Sequence, residues 1–183
     1  MILAQWRKRR SNRLLIDQLH GKIVAAARHP ALYAEFGATD TFEGRFEMMT
    51  LHAGLVMRAL CRLPGYGAEL AQELADSVFR HFDIALREIG ISDIGVPKRI
   101  KRLAEAFYGR NKAYGEALDS ADSEDLTKAL ARNVYGDGDA GKAGALAAYM
   151  RQCERALAAI PLETFAAGEV AFPEPALAAG GSR

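Results

Sequence analysis

Apolar residues recur every three or four positions along most of this chain, and that spacing predicts helices. The clearest stripe is Leu74, Val78, Phe82, Ala85 and Ile89, widened by Phe79 and Leu86. Another runs through Phe42, Phe46, Met49, Ala53, Val56 and Leu60. Leu15, Leu19, Ile23 and Ala26 mark a first helix that His29-Pro30 breaks, and residues 31–36 a short one ended by Gly37. Ile100, Leu103, Phe107 and Tyr114 give a further helix its buried stripe. Leu146, Met150, Cys153, Leu157 and Ile160 do so for the last long helix, which ends before Pro161. No segment alternates apolar and polar residues with the period of a strand. The expectation is an all-α, single-domain bundle of about six to seven helices.

The punctuation between stripes fits that reading. Thr39 or Asp40 can cap the helix that follows, a side-chain oxygen accepting from unpaired backbone N–H groups. Pro64-Gly65-Tyr66-Gly67 turns the chain into a helix starting near Ala68. Gly90 stands where a helix wants a left-handed residue, and Pro97 where the next wants its first. Asp119, Asp122, Glu124 and Asp125 lie where acids suit the positive end of a helix running to about Tyr135. From about Ala166 the Ala/Gly/Pro-rich sequence loses its period and reads as a disordered tail. The expected division is residues 1–165 as the helical domain and 166–183 as the tail.

At 183 residues the chain has room for one ordinary domain, and half of its residues are hydrophobic. The formal net charge is +1, so any strongly basic behaviour has to be local. Cys61 and Cys153 stand far apart with no C-x-x-C, unlike a metal knuckle or a thioredoxin motif. Cys153 falls in an apolar stripe and is expected as a buried free thiol in a reducing, intracellular compartment. No run approaches the ~20 apolar residues of a membrane-spanning helix. The apolar start Met1–Trp6 is short and precedes the charges, unlike a signal peptide. Trp6 followed by Arg7, Lys8, Arg9 and Arg10 suits an anionic membrane surface, at about 1 kcal/mol per cation near the lipid. The same residues equally suit a frayed, solvated end.

Local charge is concentrated in the centre. Asp76, Arg80, Asp83 and Arg87 alternate in sign at helical spacing, which by itself describes a solvated, ion-paired face worth ~0.2–0.5 kcal/mol per pair. In the next helix Lys98, Lys101, Arg102 and Lys112 share a face with Glu105, flanked by Arg99 and Arg110. Solubility alone favours mixed signs, so this asymmetry points to a negative partner: phosphate backbone, anionic lipid or acidic protein. The candidate partner-binding residues are Arg80, Asp83, Arg87, Lys98, Lys101, Arg102, Tyr108, Arg110 and Lys112. Phe107, Tyr108 and Tyr114 offer either a groove for an apolar helix or part of the core.

Other motifs carry less. Gly136-Asp-Gly-Asp-Ala-Gly141-Lys142 has the spacing of a phosphate loop, but Ala143 replaces the magnesium-binding hydroxyl and a helix precedes it instead of a strand. A calcium loop starting at Asp137 or Asp139 would need its bidentate acid where Ala148 or Met150 stands. His81 and Asp83 are two apart and point to different sides of a helix. His52 reads as a satisfied core or boundary histidine. No nucleophile stands with a base. Neither an enzyme nor a cofactor, metal or small-molecule substrate is expected.

The central block resembles a known family. Arg80-x-x-Asp83-x-x-Leu86-Arg87-Glu88-x-Gly90, then Asp93, Lys98, Lys101 and Ala106-Phe107-Tyr108-Gly109-Arg110-x-x-x-Tyr114, is similar to the signature of the ubiquinol–cytochrome c chaperones. Leu51-His52 and Leu55-Val56 on the preceding helix also fit, so the likeness covers residues 40–118. Pro97 departs from the pattern, where a small residue such as Gly is expected. The resemblance implies an all-helical, non-enzymatic assembly factor for the respiratory cytochrome bc1 complex. Its client would be nascent cytochrome b, and the mitochondrial relatives add the ribosome and a small partner assembly protein. With no presequence ahead of the first helix, a bacterial-type member is expected, cytoplasmic or peripheral on the inner face of the membrane. The alternative is a ribosome- or RNA-binding module using the basic face around residues 98–112, against which the acidic patch at 119–125 weighs.

Overall fold

The computed structural model describes the backbone of residues 2–177, and side chains from Asn12 onward except that of Leu162. Eight helices and no strands occur among the described residues: α1 (Ile2–Ala27), α2 (Pro30–Ala34), α3 (Phe42–Cys61), α4 (Gly67–Glu88), α5 (Gly95–Asp119), α6 (Glu124–Tyr135), α7 (Ala140–Ala158) and α8 (Leu162–Ala166). Trp6, Arg7, Lys8, Arg9 and Arg10 lie outside the residues whose side chains are described. No described helix is long and apolar enough to cross a membrane.

The architecture is organised around α3, which packs against α1, α4, α5, α6 and α7. The stripe through Phe46, Met49, Ala53, Val56 and Leu60 is only part of its buried surface, since Met48, Leu51, His52 and Leu55 are buried too. A helix apolar on nearly all sides belongs in the middle of its fold. His52 is fully buried and paired, its Nδ1–H donating to the Met48 carbonyl at 2.8 Å and its Nε2 accepting from the Tyr149 hydroxyl of α7 at 3.0 Å. One apolar cluster runs from Leu15 to Val170.

Helix ends differ from expectation in three places. Thr41, not Thr39 or Asp40, caps α3: its hydroxyl accepts from Gly44 N at 3.2 Å, while Asp40 binds Arg45 at 2.7 Å. Gly44 is held so close to the Thr39 carbonyl that a Cβ would lie 1.9 Å from its oxygen. Pro97 lies inside the first turn of α5 and not at its first position, because α5 starts at Gly95, where Gly95 and Val96 N–H both bond to the Ser92 carbonyl. Any position in that turn tolerates a missing N–H. Ile89 leaves the α4 stripe and is 56% exposed. The helix has ended at Glu88, and Gly90 at φ 85° turns the chain away, with Gly90 N bonded to Arg87 O and Ile91 N to Leu86 O. Leu86 therefore fills the last core position.

The Gly136–Gly141 stretch is a helix connection. Gly136 takes the left-handed conformation after α6, and Asp139 caps α7 by accepting from Lys142 N at 2.9 Å. The expected disordered tail needs correction in its first part. Val170 is buried, Phe172 meets the His52 ring edge-on at 5.1 Å, and Glu174 accepts from His29 Nε2 at 2.8 Å. This segment follows the body's surface without a helix, so it has no period to read in the sequence.

Candidate partner-binding surface

Helices α4 and α5 form a hairpin whose seam is aromatic. Phe79 of α4 lies edge-on to Phe107 at 5.2 Å and tilted against Tyr108 at 6.0 Å, and nearer the turn Leu86 of α4 and Val96 of α5 are fully buried. Phe107 and Tyr114 are buried and belong to the core, whereas Tyr108 is 43% exposed. Of the three aromatics that might have lined a groove, only Tyr108 faces outward.

On the α4 side Arg80 and Arg87 are exposed and Asp83 half-buried. The predicted alternation becomes an ion pair at Asp83–Arg87, with Arg87 Nε donating to Asp83 Oδ2 at 2.7 Å. Arg87 also binds Asp93 of the turn, so its guanidinium braces the α4–α5 connection. Arg80 stands apart, beside the groove between α1 and α4, where His20 lies edge-on to His81 at 5.3 Å and bonds Ser77 at 3.1 Å. Burial lowers the pKa of both histidines. His81 thus faces α1 while Asp83 faces Arg87. Among the described residues no group of His, Cys, Asp and Glu is arranged to hold a metal.

On the α5 side the structure separates two kinds of cation. Lys98, Lys101 and Arg102 are exposed and make no ion pair among the described residues. Lys112 is also exposed, 3.9 Å from Glu116, and Arg99 lies 3.6 Å from Glu43. Arg110 is different, and its place among the outer cations is corrected. Its Nε donates to Glu47 of α3 at 2.6 Å, and its guanidinium stands 5.5 Å from the Phe46 ring centre. The position falls three residues after Phe107 and four before Tyr114, on the core-facing side of α5, and there Glu47 balances the half-buried guanidinium. Burial raises the Glu47 pKa, and the Arg110 hydrogen bond opposes that rise.

Asp83 and Arg87 of α4 and Lys98, Lys101, Arg102, Tyr108 and Lys112 of α5 thus lie on the two helices of the hairpin, with Arg80 turned to the α1 side. Among the described residues Lys98, Lys101 and Arg102 make no ion pair, and Tyr108 on the same helix is 43% exposed. Sequence reasoning missed Ile94, 91% exposed in the turn, because it belongs to no stripe. Its one signal was an aliphatic residue between Asp93 and Gly95.

The sequence profile of the family described as "Ubiquinol-cytochrome C chaperone" matches residues 34–172. Among solved structures, the crystal structure of the Cbp3 homolog from Brucella abortus is similar to this chain. It is 43% identical, with a TM-score of 0.84 over 95% of this chain and 97% of that one. No curated protein matches in sequence.

Proposed function

The chain belongs to the ubiquinol–cytochrome c chaperone family, and on that premise we propose that it is a non-enzymatic assembly chaperone of the cytochrome bc1 complex that binds newly made cytochrome b at the cytoplasmic face of the membrane. The observation that carries the reading is the likeness over nearly the full length of both chains, which includes the α4–α5 hairpin. Supporting it, α5 carries exposed Lys98, Lys101 and Arg102, which make no ion pair among the described residues, and the half-exposed Tyr108, groups suited to a partner with acidic and apolar chemistry.

The test has two arms. In membranes of a strain lacking the gene, the reduced-minus-oxidised spectrum is expected to lose the b-type haem signal of the bc1 complex, and the intact gene restores it. A gene carrying Lys98→Glu, Lys101→Glu and Arg102→Glu is expected to restore it poorly and to crosslink less to cytochrome b, with helicity by circular dichroism unchanged. An unchanged spectrum in the deletion strain sinks the assembly role. If binding instead follows ribosomal RNA and falls steeply with salt, the same cations serve phosphate contacts.

A further inference from the structure

The turn between α4 and α5 carries one large apolar side chain almost wholly in water. Ile94 is 91% exposed, the highest value among the large apolar side chains described, and Ile89 at the other end of the turn is 56% exposed. Ile89 borders the groove that Tyr33, Phe42 and Phe46 line, whereas Ile94 borders no such groove, and an aliphatic side chain left in water contributes nothing to folding. The turn is also stiff. Gly90 and Ile91 N–H bond back onto α4, Gly95 and Val96 N–H bond to Ser92 O, and Arg87 ties Asp83 to Asp93.

Within about two turns of α5 from Ile94 come Lys98, Lys101 and Arg102, exposed and without an ion pair among the described residues, while Arg87 is held by Asp83 and Asp93 and Arg99 lies 3.6 Å from Glu43. Asp93 is already bound to Arg87, so the free charge at this end is positive. RNA would answer the cations but not Ile94, since bases are held by stacking on aromatic or guanidinium planes. An aliphatic tip with a cationic collar answers a bilayer, with acyl chains for the one and phosphates for the other.

We propose that the α4–α5 turn is a membrane-docking tip, in which Ile94 enters the interface of a bilayer bearing anionic headgroups while Lys98, Lys101 and Arg102 sit at phosphate level. Lys112 lies roughly 20 Å farther along α5 at a rise of ~1.5 Å per residue, so the Tyr108–Lys112 part of the hairpin stands clear of the headgroups. A client helix emerging from the membrane would meet that part. The proposal deepens the chaperone reading: it gives Lys98, Lys101 and Arg102 to the lipid and leaves the client to the Tyr108–Lys112 part, and it rests on that reading only for its cellular setting.

The test uses the full chain with Ile94→Trp and Trp6→Phe, which leaves one indole, at position 94. With vesicles of phosphatidylcholine plus phosphatidylglycerol, its emission is expected to shift to the blue and to be quenched by lipids brominated near the ester end of the acyl chains. With phosphatidylcholine alone neither is expected. Ile94→Asp, at a site that supports no packing, is expected to lower partition into the anionic vesicles about tenfold with unchanged helicity. Lys98→Glu with Lys101→Glu should lower it at least as far, at about fivefold per cation removed. The proposal is overturned if the protein does not partition, if it partitions with an unshifted indole, or if Ile94→Asp partitions normally. Binding to ribosomal RNA with no partition into vesicles overturns it too and assigns the cations to phosphate backbone. No client is present in these vesicles, so failure here leaves the crosslinking result to stand alone.

Discussion

Arg110 Nε donates to Glu47 Oε2 at 2.6 Å across the seam between α5 and α3, a basic residue of an exposed-looking run used as an internal strut. The Glu47 side chain is 9% exposed, and without its partner it would be a nearly buried carboxylate. Arg110→Leu is expected to cost about 2–4 kcal/mol in urea unfolding, because removing one member of such a pair strands the other. Adding Glu47→Gln should return part of the loss. Equal stability of Arg110→Leu and the natural chain would show that the pair is not a strut.

Gly54 and Asn111 meet across the same seam. A Cβ on Gly54 would lie 2.0 Å from Asn111 Oδ1, so Gly54→Ala has to displace the carboxamide. The gain of roughly 1 kcal/mol in helix propensity is then outweighed by a packing penalty of ~1–3 kcal/mol. Combined with Asn111→Ala, Gly54→Ala is expected to be neutral or stabilising relative to Asn111→Ala alone. A double-mutant cycle with no coupling would contradict the contact.

Burial lowers the His52 pKa to about 4, against the Met48 hydrogen bond that favours the charged ring. In the unfolded chain the ring titrates near 6.5, so the unfolded state takes up its proton first. The contribution of neutral His52 is therefore intact above about pH 6.5 and is lost progressively down to about pH 4, to a total of about 3 kcal/mol. His20 and His81, lowered chiefly by burial, add in the same direction. Urea midpoints measured downward from neutral pH should fall across this window, and fall less in His52→Phe. A midpoint independent of pH there would mean that His52 is solvated.

Burial pushes the Cys153 thiol up to about 12, while Cys61 is exposed at the end of α3. A thiol reagent at about pH 8 is expected to modify Cys61 quickly and Cys153 only after denaturation, since the thiolate is the reactive form. Mass spectrometry of the native protein should thus show a single adduct on the peptide containing Cys61. Rapid double labelling would argue against the packing of α7 on α3.

Much of this molecule is readable from periodicity, because amphipathic helices bury their stripes and write them every three or four residues. The all-α class, the cores of α3, α4 and α7, the buried Cys153 and the family likeness all rest on residues close together in the chain. Gly90 is legible for the same reason, since only a local backbone demand is involved. Tertiary packing decided what happens to charge. The spacing of Arg110 from Phe107 and Tyr114 sets it on the inner side of α5, apart from Lys112, but nothing along the chain shows that Glu47 of α3 stands opposite it. Tertiary packing also decided that Ile89 and Ile94 stay outside, and that Val170 and Phe172 of the aperiodic tail go in. Whether a side chain finds a partner depends on which distant surface stands opposite it, and distances across a fold are not written in the spacing along a chain.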